Sequence, residues 1–351
     1  MTGEVIKMLH GAGGRYMSRF IKEHILRYLN WSSTEVSLSS LDDSSVVNNV
    51  VFTCDSYTVK PIFFPGGDIG KLAVAGTIND ILMIGGMPRA LSLALIIEEG
   101  FPISDLDRIL ESISNTAREA GVPVITGDTK VVERGSLDKI IVNTAGVGVR
   151  HPHLDHNIEV VREYRRDFNS RWLLDSNIKP GDKIIINGFI GDHAIALLSV
   201  REGFSFKVDV VSDVAPLIEP MNEVLRVGGV VAAKDPTRGG LANLLNEWVE
   251  KSNVGIRIYE ERIPIRDSVR NACEYLGLDP LELGNEGKMV IAVVPDMADE
   301  VLKALRSTKL GANAEIIGEA TDRFKHVVME TLIGGRRVIP PPIGDPVPRI
   351  C

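Results

Sequence analysis

The chain has 351 residues, of which 44% are hydrophobic and 5% aromatic, and it carries a formal net charge of −8. This length predicts two or three domains, and the composition predicts mainly aliphatic cores. The acidic excess argues against nucleic acid or an anionic membrane as a partner. No apolar run is long enough to span a bilayer, and the first residues lack the apolar stretch of a signal peptide.

In the first half of the chain, strands and helices alternate. Segments rich in Val, Ile and Thr predict strands over 35–40, 50–56, 90–99, 122–128 and 140–149. One helix is predicted over 69–84, before two glycines. A second is predicted from Ser104, with Asp107 as a capping partner, to Gly121, and it has one apolar face. These elements predict an α/β domain.

A looser pattern over residues 150–180 places a domain boundary near Arg150. Beyond it, strands are predicted over 183–189, 255–261, 288–294 and 314–320, with a strand-like segment over 326–339. Helices are predicted over 191–203, 217–228, 240–252, 266–277 and 296–308. The second half is therefore a second α/β domain.

The last twelve residues, PPPIGDPVPRIC, contain five prolines and end in a cysteine. Proline fixes φ and lacks an N–H donor, which excludes a helix or a central strand. We predict an extended, mobile arm with a reach of about 35–40 Å. The other cysteines are Cys54, interpreted as a packing residue, and Cys273. Three cysteines without disulfide or zinc spacing predict a cytoplasmic protein.

Aspartates recur at turn-like and strand-end positions of the first half. They are Asp42, Asp43, Asp55, Asp68, Asp80 and Asp128. Strand ends converge in α/β folds, so such carboxylates can meet, with Mg²⁺ and phosphate between them. The alternative for each is an ordinary turn or helix cap. Asp80 differs because it lies in an apolar helix, where a bare carboxylate is costly, and Asn79 beside it is a candidate oxygen donor.

Two glycine-rich segments are candidates for phosphate binding. GGDIGK, residues 66–71, is not a P-loop, because only three residues separate its glycines and leucine follows the lysine. KDPTRGG, residues 234–240, precedes a helix, so its N–H groups and Arg238 suit an anion. The alternative is an ordinary helix start with Thr237 as the N-cap.

Three further features are ambiguous in isolation. Lys130 follows Asp128 near a predicted strand end and is otherwise a solvated charge. Glu286 lies between glycines before a strand and is otherwise a turn residue. The segment HGAGG, residues 10–14, either folds over a ligand or is disordered.

Taken together, HGAGG, DDSSV, TCDSYTVKP, GGDIGKLAVAGTIND, VPVITGDTKVV, DPTRGGLANLLNE, LGNEGKMV and the closing PRIC resemble the HypE family of hydrogenase maturation proteins. That family lies in the superfamily of aminoimidazole ribonucleotide synthetase, selenophosphate synthetase and thiamine phosphate kinase. HGAGG lacks the cysteine of selenophosphate synthetases, which counts against that relative.

The resemblance implies a two-domain α/β (α+β) fold like that of aminoimidazole ribonucleotide synthetase, with a flexible Pro-rich tail. It implies a Gly-rich segment and helix over 1–35, an ATP-binding and dimerisation domain over 36–150, a second α/β domain over 151–335 and a mobile tail over 336–351. The first domain would form a homodimer through its sheet, with ATP in a cleft near the subunit interface.

The resemblance also implies a reaction, the ATP-dependent dehydration of an S-carboxamide on Cys351 to a thiocyanate. The thiocyanate would supply the cyanide ligand of the nickel–iron hydrogenase. The implied partners are a HypF-type carbamoyltransferase, which loads the cysteine, and a HypC–HypD complex, which receives the cyano group. ATP and Mg²⁺ would be required, because phosphorylation turns the amide oxygen into a leaving group.

Site residues follow from the matched motifs. Cys351 would be the carrier and Glu286 the base, assisted by Lys130 or Asp128. The implied ATP-binding residues are Gly67, Asp68, Lys71, Asn79, Asp128, Asp235, Thr237, Arg238 and Gly239. The implied metal ligands are Asp43, Asp55, Asp80 and Asp128.

Two alternatives stay open. One is a small-molecule ATP-dependent enzyme of the same superfamily, of the thiamine phosphate kinase or ribonucleotide synthetase type. The other is a non-catalytic hydrogenase-assembly scaffold whose tail docks a partner.

Overall fold

The computed structural model describes residues 5–29, 34–201 and 209–351. Within these ranges the helices are α1 (Gly14–Phe20), α2 (Ile69–Met83), α3 (Ile103–Ala120), α4 (Leu154–Tyr164), α5 (Asp192–Val200), α6 (Ile218–Val227), α7 (Gly240–Ser252), α8 (Asp267–Leu276) and α9 (Ala298–Arg306). Among these described helices, none has the length and apolarity needed to cross a membrane.

The described strands form two large sheets and a short ribbon. Those of the first half are β1 (Ser45–Val47), β2 (Val50–Tyr57), β3 (Phe63–Phe64), β4 (Gly67–Asp68), β5 (Gly86–Glu98), β6 (Val124–Val132) and β7 (Ile140–Arg150). Those of the second half are β8 (Lys183–Ile186), β9 (Val230–Lys234), β10 (Gly255–Tyr259), β11 (Val290–Val293), β12 (Glu315–Thr321), β13 (Val327–Glu330) and β14 (Arg336–Ile339).

The first sheet has the order β1-β2-β7-β5-β6. Strands β5 and β6 pair in parallel, and the other pairs are antiparallel. Strand β6 forms one edge, and its side chains from 124 to 131 are exposed. This edge leaves a row of main-chain hydrogen-bonding groups without a strand partner within the described chain.

Helix α2 lies at the centre of the molecule. Every residue of it is buried except Lys71 and Asp80. It contacts β2, β5 and β7 of the first sheet and also α6 and β9 of the second half. An apolar helix that is surrounded in this way holds its polar residues at the junction of the two halves.

The second sheet has the order β14-β13-β10-β12-β8-β11-β9. Its pairs are antiparallel except for β10 with β13. All side chains of β9 and β11 are buried, which explains their continuous apolar runs. The end of β9 leads directly into KDPTRGG, so the sheet presents that segment toward α2.

Most predicted elements are present, and the differences have local causes. The predicted strand over 35–40 is wrong: Val36 makes one isolated bridge, and Leu38–Ser40 is a 3₁₀ turn. Helix α3 begins one residue before Ser104 with Pro102 as its N-cap, and no side chain caps it. Helix α4 and strand β9 were not predicted, because α4 lies in the mixed-charge segment and β9 is a short run without alternation.

The tail begins later than predicted and is docked on the body. Residues 336–339, which the resemblance placed in the tail and the sequence pattern placed in a strand-like segment, pair with β13 as strand β14. Beyond them, Arg15 N–H donates to the Pro342 carbonyl at 3.0 Å, and Asp345 N–H donates to the Ala12 carbonyl at 2.7 Å. The side chains of Val347 and Ile350 are buried. In this structure the Pro-rich arm therefore lies along the HGAGG segment and enters the body of the protein.

Candidate active site

Carboxylates from both halves meet beside helix α2. Asp55 comes from β2, Asp80 from α2, Asp235 from the residue after β9, and Glu286 from the loop before β11. Asp235 and Glu286 are buried, whereas Asp55 and Asp80 are partly exposed. Sequence-distant acids thus converge at the junction of the halves, as strand-end carboxylates are expected to do.

The acids in this cluster oppose one another's ionisation. Burial, followed by the nearby Asp55 and Asp235 carboxylates, raises the pKa of Asp80 well above its ordinary value. Burial and Asp43 raise the pKa of Asp235 in the same way. Thr53 Oγ1 donates to Asp80 Oδ2 at 2.9 Å and fixes that carboxyl group. Ionisation of these acids is therefore costly unless a cation is bound among them.

Asp43 lies beside a lysine that the sequence analysis missed. Lys234 Nζ is 2.5 Å from Asp43 Oδ1, and both side chains are largely buried. Burial raises the pKa of Asp43 to about 6, although Lys234 opposes the shift. Lys234 also lies 3.5 Å from Asp175 Oδ2, which in turn pairs with Lys251 at 2.6 Å. This buried network joins the start of the first domain to β9 and α7.

Glu286 has an unpartnered oxygen. Its N–H donates to Asp213 Oδ1 at 3.1 Å, but its Oε1 is buried and has no hydrogen-bond partner among the described residues. Burial, with Asp235 and Asp213 nearby, raises the pKa of Glu286 well above its ordinary value. A buried, unpaired carboxyl oxygen is costly unless a ligand satisfies it.

The docked tail brings its cysteine to this cluster. Burial raises the pKa of the Cys351 thiol, with Arg238 acting in the opposite direction and Glu286 adding to the rise. In turn, Cys351 is the main cause of the raised pKa of Arg238. The structure thus places Cys351, Glu286 and Arg238 together, although they are far apart in the sequence.

A cavity of about 490 Å³ opens next to the acids, a volume typical of small-molecule sites. Its lining includes Gly13, Gly14, Asp42, Asp43, Lys234, Asp235, Thr237, Arg238, Asn243 and Lys251. A Cβ added at Gly13 would stand 3.0 Å from the Cβ of Arg238, so HGAGG folds over this region. Of the two readings of HGAGG, the ordered one holds here.

The segment KDPTRGG starts helix α7 in an unexpected way. Gly239, not Thr237, is the N-cap, and no side-chain cap hydrogen bond is formed. Gly239 has φ +77°, a left-handed conformation that glycine adopts without strain. Because Thr237 is not used as a cap, its hydroxyl remains available along the cavity wall, beside the Arg238 guanidinium, whose Nη1 donates to the Gly11 carbonyl at 3.4 Å.

Gly67, Asp68 and Lys71 lie apart from this cavity. The Asp68 carboxylate caps α2 by accepting the N–H groups of Gly70 and Lys71 at 2.7 and 3.0 Å. Lys71 Nζ donates to the Gly66 carbonyl at 3.1 Å, beside a second cavity of about 910 Å³ that Asp213 and Lys288 also line. For Asp68 the structure favours the capping alternative.

Asn79 connects α2 to the second half of the chain. Its Oδ1 accepts the Leu217 N–H at 2.8 Å, and its Nδ2 donates to the Ala215 carbonyl at 3.1 Å. With its oxygen and amide already bonded to main chain, Asn79 acts in this structure as a link that positions Asp80, not as a free donor.

Asp128 and Lys130 do not join the cluster within one chain. Both lie on the exposed edge strand β6, which continues to Val132, so they are within a strand and not at its end. Within the described chain, no hydrogen bond or ion pair connects either side chain to the acids around Asp80. In the same ranges, no group of three or more His, Cys, Asp or Glu side chains is arranged as a metal site. Of the predicted metal ligands, Asp43, Asp55 and Asp80 converge and Asp128 does not.

Three consecutive residues of the tail are held through their main chain, a feature that the sequence analysis missed. Lys60 N–H donates to the Arg349 carbonyl at 3.1 Å, and Thr58 N–H donates to the Cys351 main-chain oxygen at 3.1 Å. His193 Nε2 lies 2.9 Å from the carbonyl oxygen of Ile350 between them. The one available signal was His193 itself, a histidine next to the apolar run Ala194–Leu198 of α5.

Known proteins share this architecture along the whole chain. Residues 41–150 match the family model of the AIR synthase related protein N-terminal domain, and residues 179–330 match that of the C-terminal domain. The chain is 45% identical to the carbamoyl dehydratase HypE of Rhizobium leguminosarum bv. viciae, over 99% of this chain and 95% of that one. It is 43% identical to the carbamoyl dehydratase HypE of Azotobacter vinelandii, over 99% and 97%.

Solved structures agree. The chain is similar to a structure described as a HypE–HypF complex, with a TM-score of 0.83 and 42% identity over 92% of this chain and 99% of the other. It is also similar to hydrogenase maturation protein HypE in complex with ATP, with a TM-score of 0.78 and 40% identity over 99% and 100%.

Proposed function

The chain belongs to the HypE family of AIR synthase related proteins, and on this basis we propose that it is the ATP-dependent carbamoyl dehydratase of hydrogenase maturation. It dehydrates an S-carboxamide on Cys351 to a thiocyanate, the source of the cyanide ligand. The observation that carries the proposal is the position of Cys351 beside Arg238 and Glu286 at the acidic cluster.

The chemistry requires activation of the amide oxygen, which is a poor leaving group. Attack of this oxygen on the γ-phosphorus of ATP forms a C–O–P linkage, releases ADP and frees one amide proton. Elimination then breaks the C–O bond, releases phosphate and the second proton, and leaves S–C≡N. Such phosphoryl transfer depends on positioning and on neutralising charge. Arg238, next to Cys351, is suited to the phosphate oxygens.

Glu286 is the best candidate for the proton acceptor. Its Oε1 is buried without a protein partner. Because burial raises its pKa, its ionised form is a stronger base than a free carboxylate. An amide N–H on the Cys351 cargo would supply the missing hydrogen bond.

The described acids do not form a complete metal site by themselves, so Mg²⁺ would bind here together with the triphosphate oxygens. Asp43, Asp55 and Asp80 offer the carboxylate oxygens that this cation prefers. Burial raises the pKa values of Asp43 and Asp80, which supports the proposal that a cation is bound among these acids together with Lys234. When bound there, Mg²⁺ would supply neutralisation of phosphate charge. We place the triphosphate in the neighbouring cavity, along Asp235, Thr237, Arg238 and Gly239.

Strand β6 supports a homodimer with shared sites. Its exposed edge carries Ile125 and Val131, each 68% exposed. Asp128 and Lys130 lie on the same strand, away from the acids of their own chain. Pairing of two β6 edges would cover these apolar side chains and allow Asp128 and Lys130 to act in the site of the partner subunit. Lys130 would then assist Glu286 across the interface.

The proposed reaction requires one partner that loads Cys351 and another that accepts the product. A HypF-type carbamoyltransferase would load Cys351, as the relative solved with HypF suggests, and a HypC–HypD complex would accept the cyano group. The three cysteines are free, which suits the reducing cytoplasm proposed from the sequence.

The test is intact-mass analysis of the full chain after loading by a carbamoyl donor and its transferase. With Mg·ATP, the C-terminal peptide should lose the mass of one water, with formation of ADP and phosphate. Cys351→Ser should give no product, and the matched exposed variant Cys54→Ser should react normally. A carbamoylated chain that stays intact with Mg·ATP contradicts the proposal.

The same assay separates the alternatives. Turnover of a small molecule that survives deletion of residues 340–351 would indicate a kinase-type enzyme. Partner binding lost on that deletion, without ATP hydrolysis in any mixture, would indicate a scaffold. The full-length identity to carbamoyl dehydratases disfavours both.

A further inference from the structure

Each main-chain oxygen of the last three residues accepts a hydrogen bond from a different donor. The donors to Arg349 and Cys351 are main-chain N–H groups of Lys60 and Thr58, in an antiparallel arrangement that any sequence can form. The donor to Ile350 is different, because it is the His193 side chain. It comes from helix α5 of the second half, so the tail is held between the two halves.

The tautomer of His193 follows from its two partners. The Ile350 carbonyl can only accept, so Nε2 must carry the hydrogen. In neutral imidazole Nδ1 then accepts, and it lies 2.7 Å from the Ser212 hydroxyl. Ser212 Oγ is itself held by the Val214 N–H at 3.1 Å. Burial lowers the pKa of His193, which keeps the ring neutral as this arrangement requires.

The neighbouring side chains hold the His193 ring in a single position. His193 is fully buried, and Phe64 packs edge-on against it with ring centroids 5.3 Å apart. The Ile350 side chain is also buried, and its Cδ1 lies close against Gly284, where a Cβ would stand 2.8 Å away. If the tail departs, the Nε2–H loses its only described acceptor.

We propose that His193 is a positioning residue that recognises the docked tail and, oriented by Ser212, holds Cys351 at the acidic cluster. Docking is a property of the unloaded full chain. Its consequence for dehydration rests on the proposed function, but docking itself does not.

The test measures docking without ATP or a carbamoyl donor. Cys351 is partly exposed when docked, so its rate of alkylation by iodoacetamide, followed by intact-peptide mass analysis, is compared between variants, and departure of the tail should raise it. His193→Ala should increase this rate about tenfold, as expected for loss of a buried hydrogen bond. His193→Gln, whose amide N–H can replace Nε2–H, should restore most of the protection. Ser212→Ala should increase the rate, because the ring would no longer be held in the required tautomer.

Hydrogen exchange distinguishes loss of docking from a general loss of stability, because only loss of docking should change amide protection at the tail contacts alone. In His193→Ala the amides of Thr58 and Lys60 should lose protection, because their acceptors leave with the tail, while those of β5 keep it. The matched control is His151→Gln, another buried histidine that has no described contact with the tail.

Unchanged alkylation and exchange in His193→Ala would overturn the proposal, as would an equal change in His151→Gln. If docking responds as expected but loaded chain never loses water, the proposed function has failed and the docking role stands. If the loaded wild-type chain reacts and His193→Ala reacts equally fast with an equally protected Cys351, the docking role alone has failed.

Discussion

Arg349 Nη1 lies 2.6 Å from Asp138 Oδ2. This ion pair joins the tail, two residues before Cys351, to the loop between β6 and β7. Arg349 Nε also donates to the Thr58 carbonyl at 2.7 Å. The docked tail therefore has an electrostatic anchor in addition to its main-chain contacts.

Asp138→Asn should loosen this anchor only slightly. The pair is partly exposed, and such pairs contribute about 0.2–1 kcal/mol, so Cys351 alkylation should rise about twofold at low salt. High salt should remove the difference. Asp105→Asn, which breaks an exposed pair with Arg108 on α3, is the control. An equal effect of the two variants at low salt would rule out a specific anchor.

Asp80→Asn should stabilise the nucleotide-free protein and abolish ATP hydrolysis. The native pKa values of Asp80, Asp235 and Glu286 lie above their unfolded values. Their contribution to stability is therefore complete below the unfolded pKa and is lost as pH rises through the native pKa. The free energy of unfolding should fall from about pH 4 upward, including the region near pH 6 where Asp43 titrates.

Scanning calorimetry between mildly acidic and mildly alkaline pH checks this prediction. Asp80→Asn should flatten the decline and raise the alkaline Tm by about 2–4 °C for each kcal/mol of repulsion removed. The exposed Asp107→Asn should leave the profile unchanged. A lower Tm in Asp80→Asn would mean that this carboxylate stabilises the empty site, contrary to expectation.

Gly14→Ala should displace the tail from the N-terminal segment. Gly14 has φ +65°, and an added Cβ would collide with the Pro342 carbonyl. Gly11, in the same HGAGG segment, has nothing within 4 Å of an added Cβ, so Gly11→Ala is a matched control. We expect Cys351 alkylation several-fold faster in Gly14→Ala, since strain at a positive φ costs about 1–2 kcal/mol. Equal rates in the two variants would show that this contact does not hold the tail.

The shared-site homodimer predicts complementation. Lys130→Ala and Glu286→Gln chains should each be inactive alone. An equimolar mixture refolded together should recover about a quarter of the wild-type activity, because about half of its dimers are mixed and one of the two sites in each mixed dimer is intact. Sedimentation velocity should show that Ile125→Asp with Val131→Asp gives monomers. Recovery of no activity in verified mixed dimers would place Lys130 in its own chain's site or outside any site.

Regular periodicity made most of the fold predictable. The apolar spacing of α3 and the glycine at its end gave its extent within a residue, since Gly121 closes the helix in the left-handed conformation. Strand β9 was missed because VVAAK is a short, continuously apolar run, which periodicity alone does not assign. Helix α4 was missed because its buried stripe lies among charges.

The sequence predicted which residues belong to the motifs of the site, but it did not predict which of their side chains face one another. The motifs pointed to Asp80, Arg238 and Glu286, and these do converge. Asp68 and Asn79 occur in the same motifs, yet their polar atoms are committed to the protein itself. Only three-dimensional contacts between distant segments distinguish such roles. The same holds for His193 and Thr58, whose tail partners lie at the far end of the chain.

The covalent attachment of the tail at the end of β14 has a kinetic consequence. A substrate tethered to its own enzyme meets the pocket at a local concentration that does not change when the protein is diluted. Saturation with cargo is then independent of how much protein a cell makes. Each chain carries one cargo at a time, so a second turnover requires that the cargo be exchanged with other proteins.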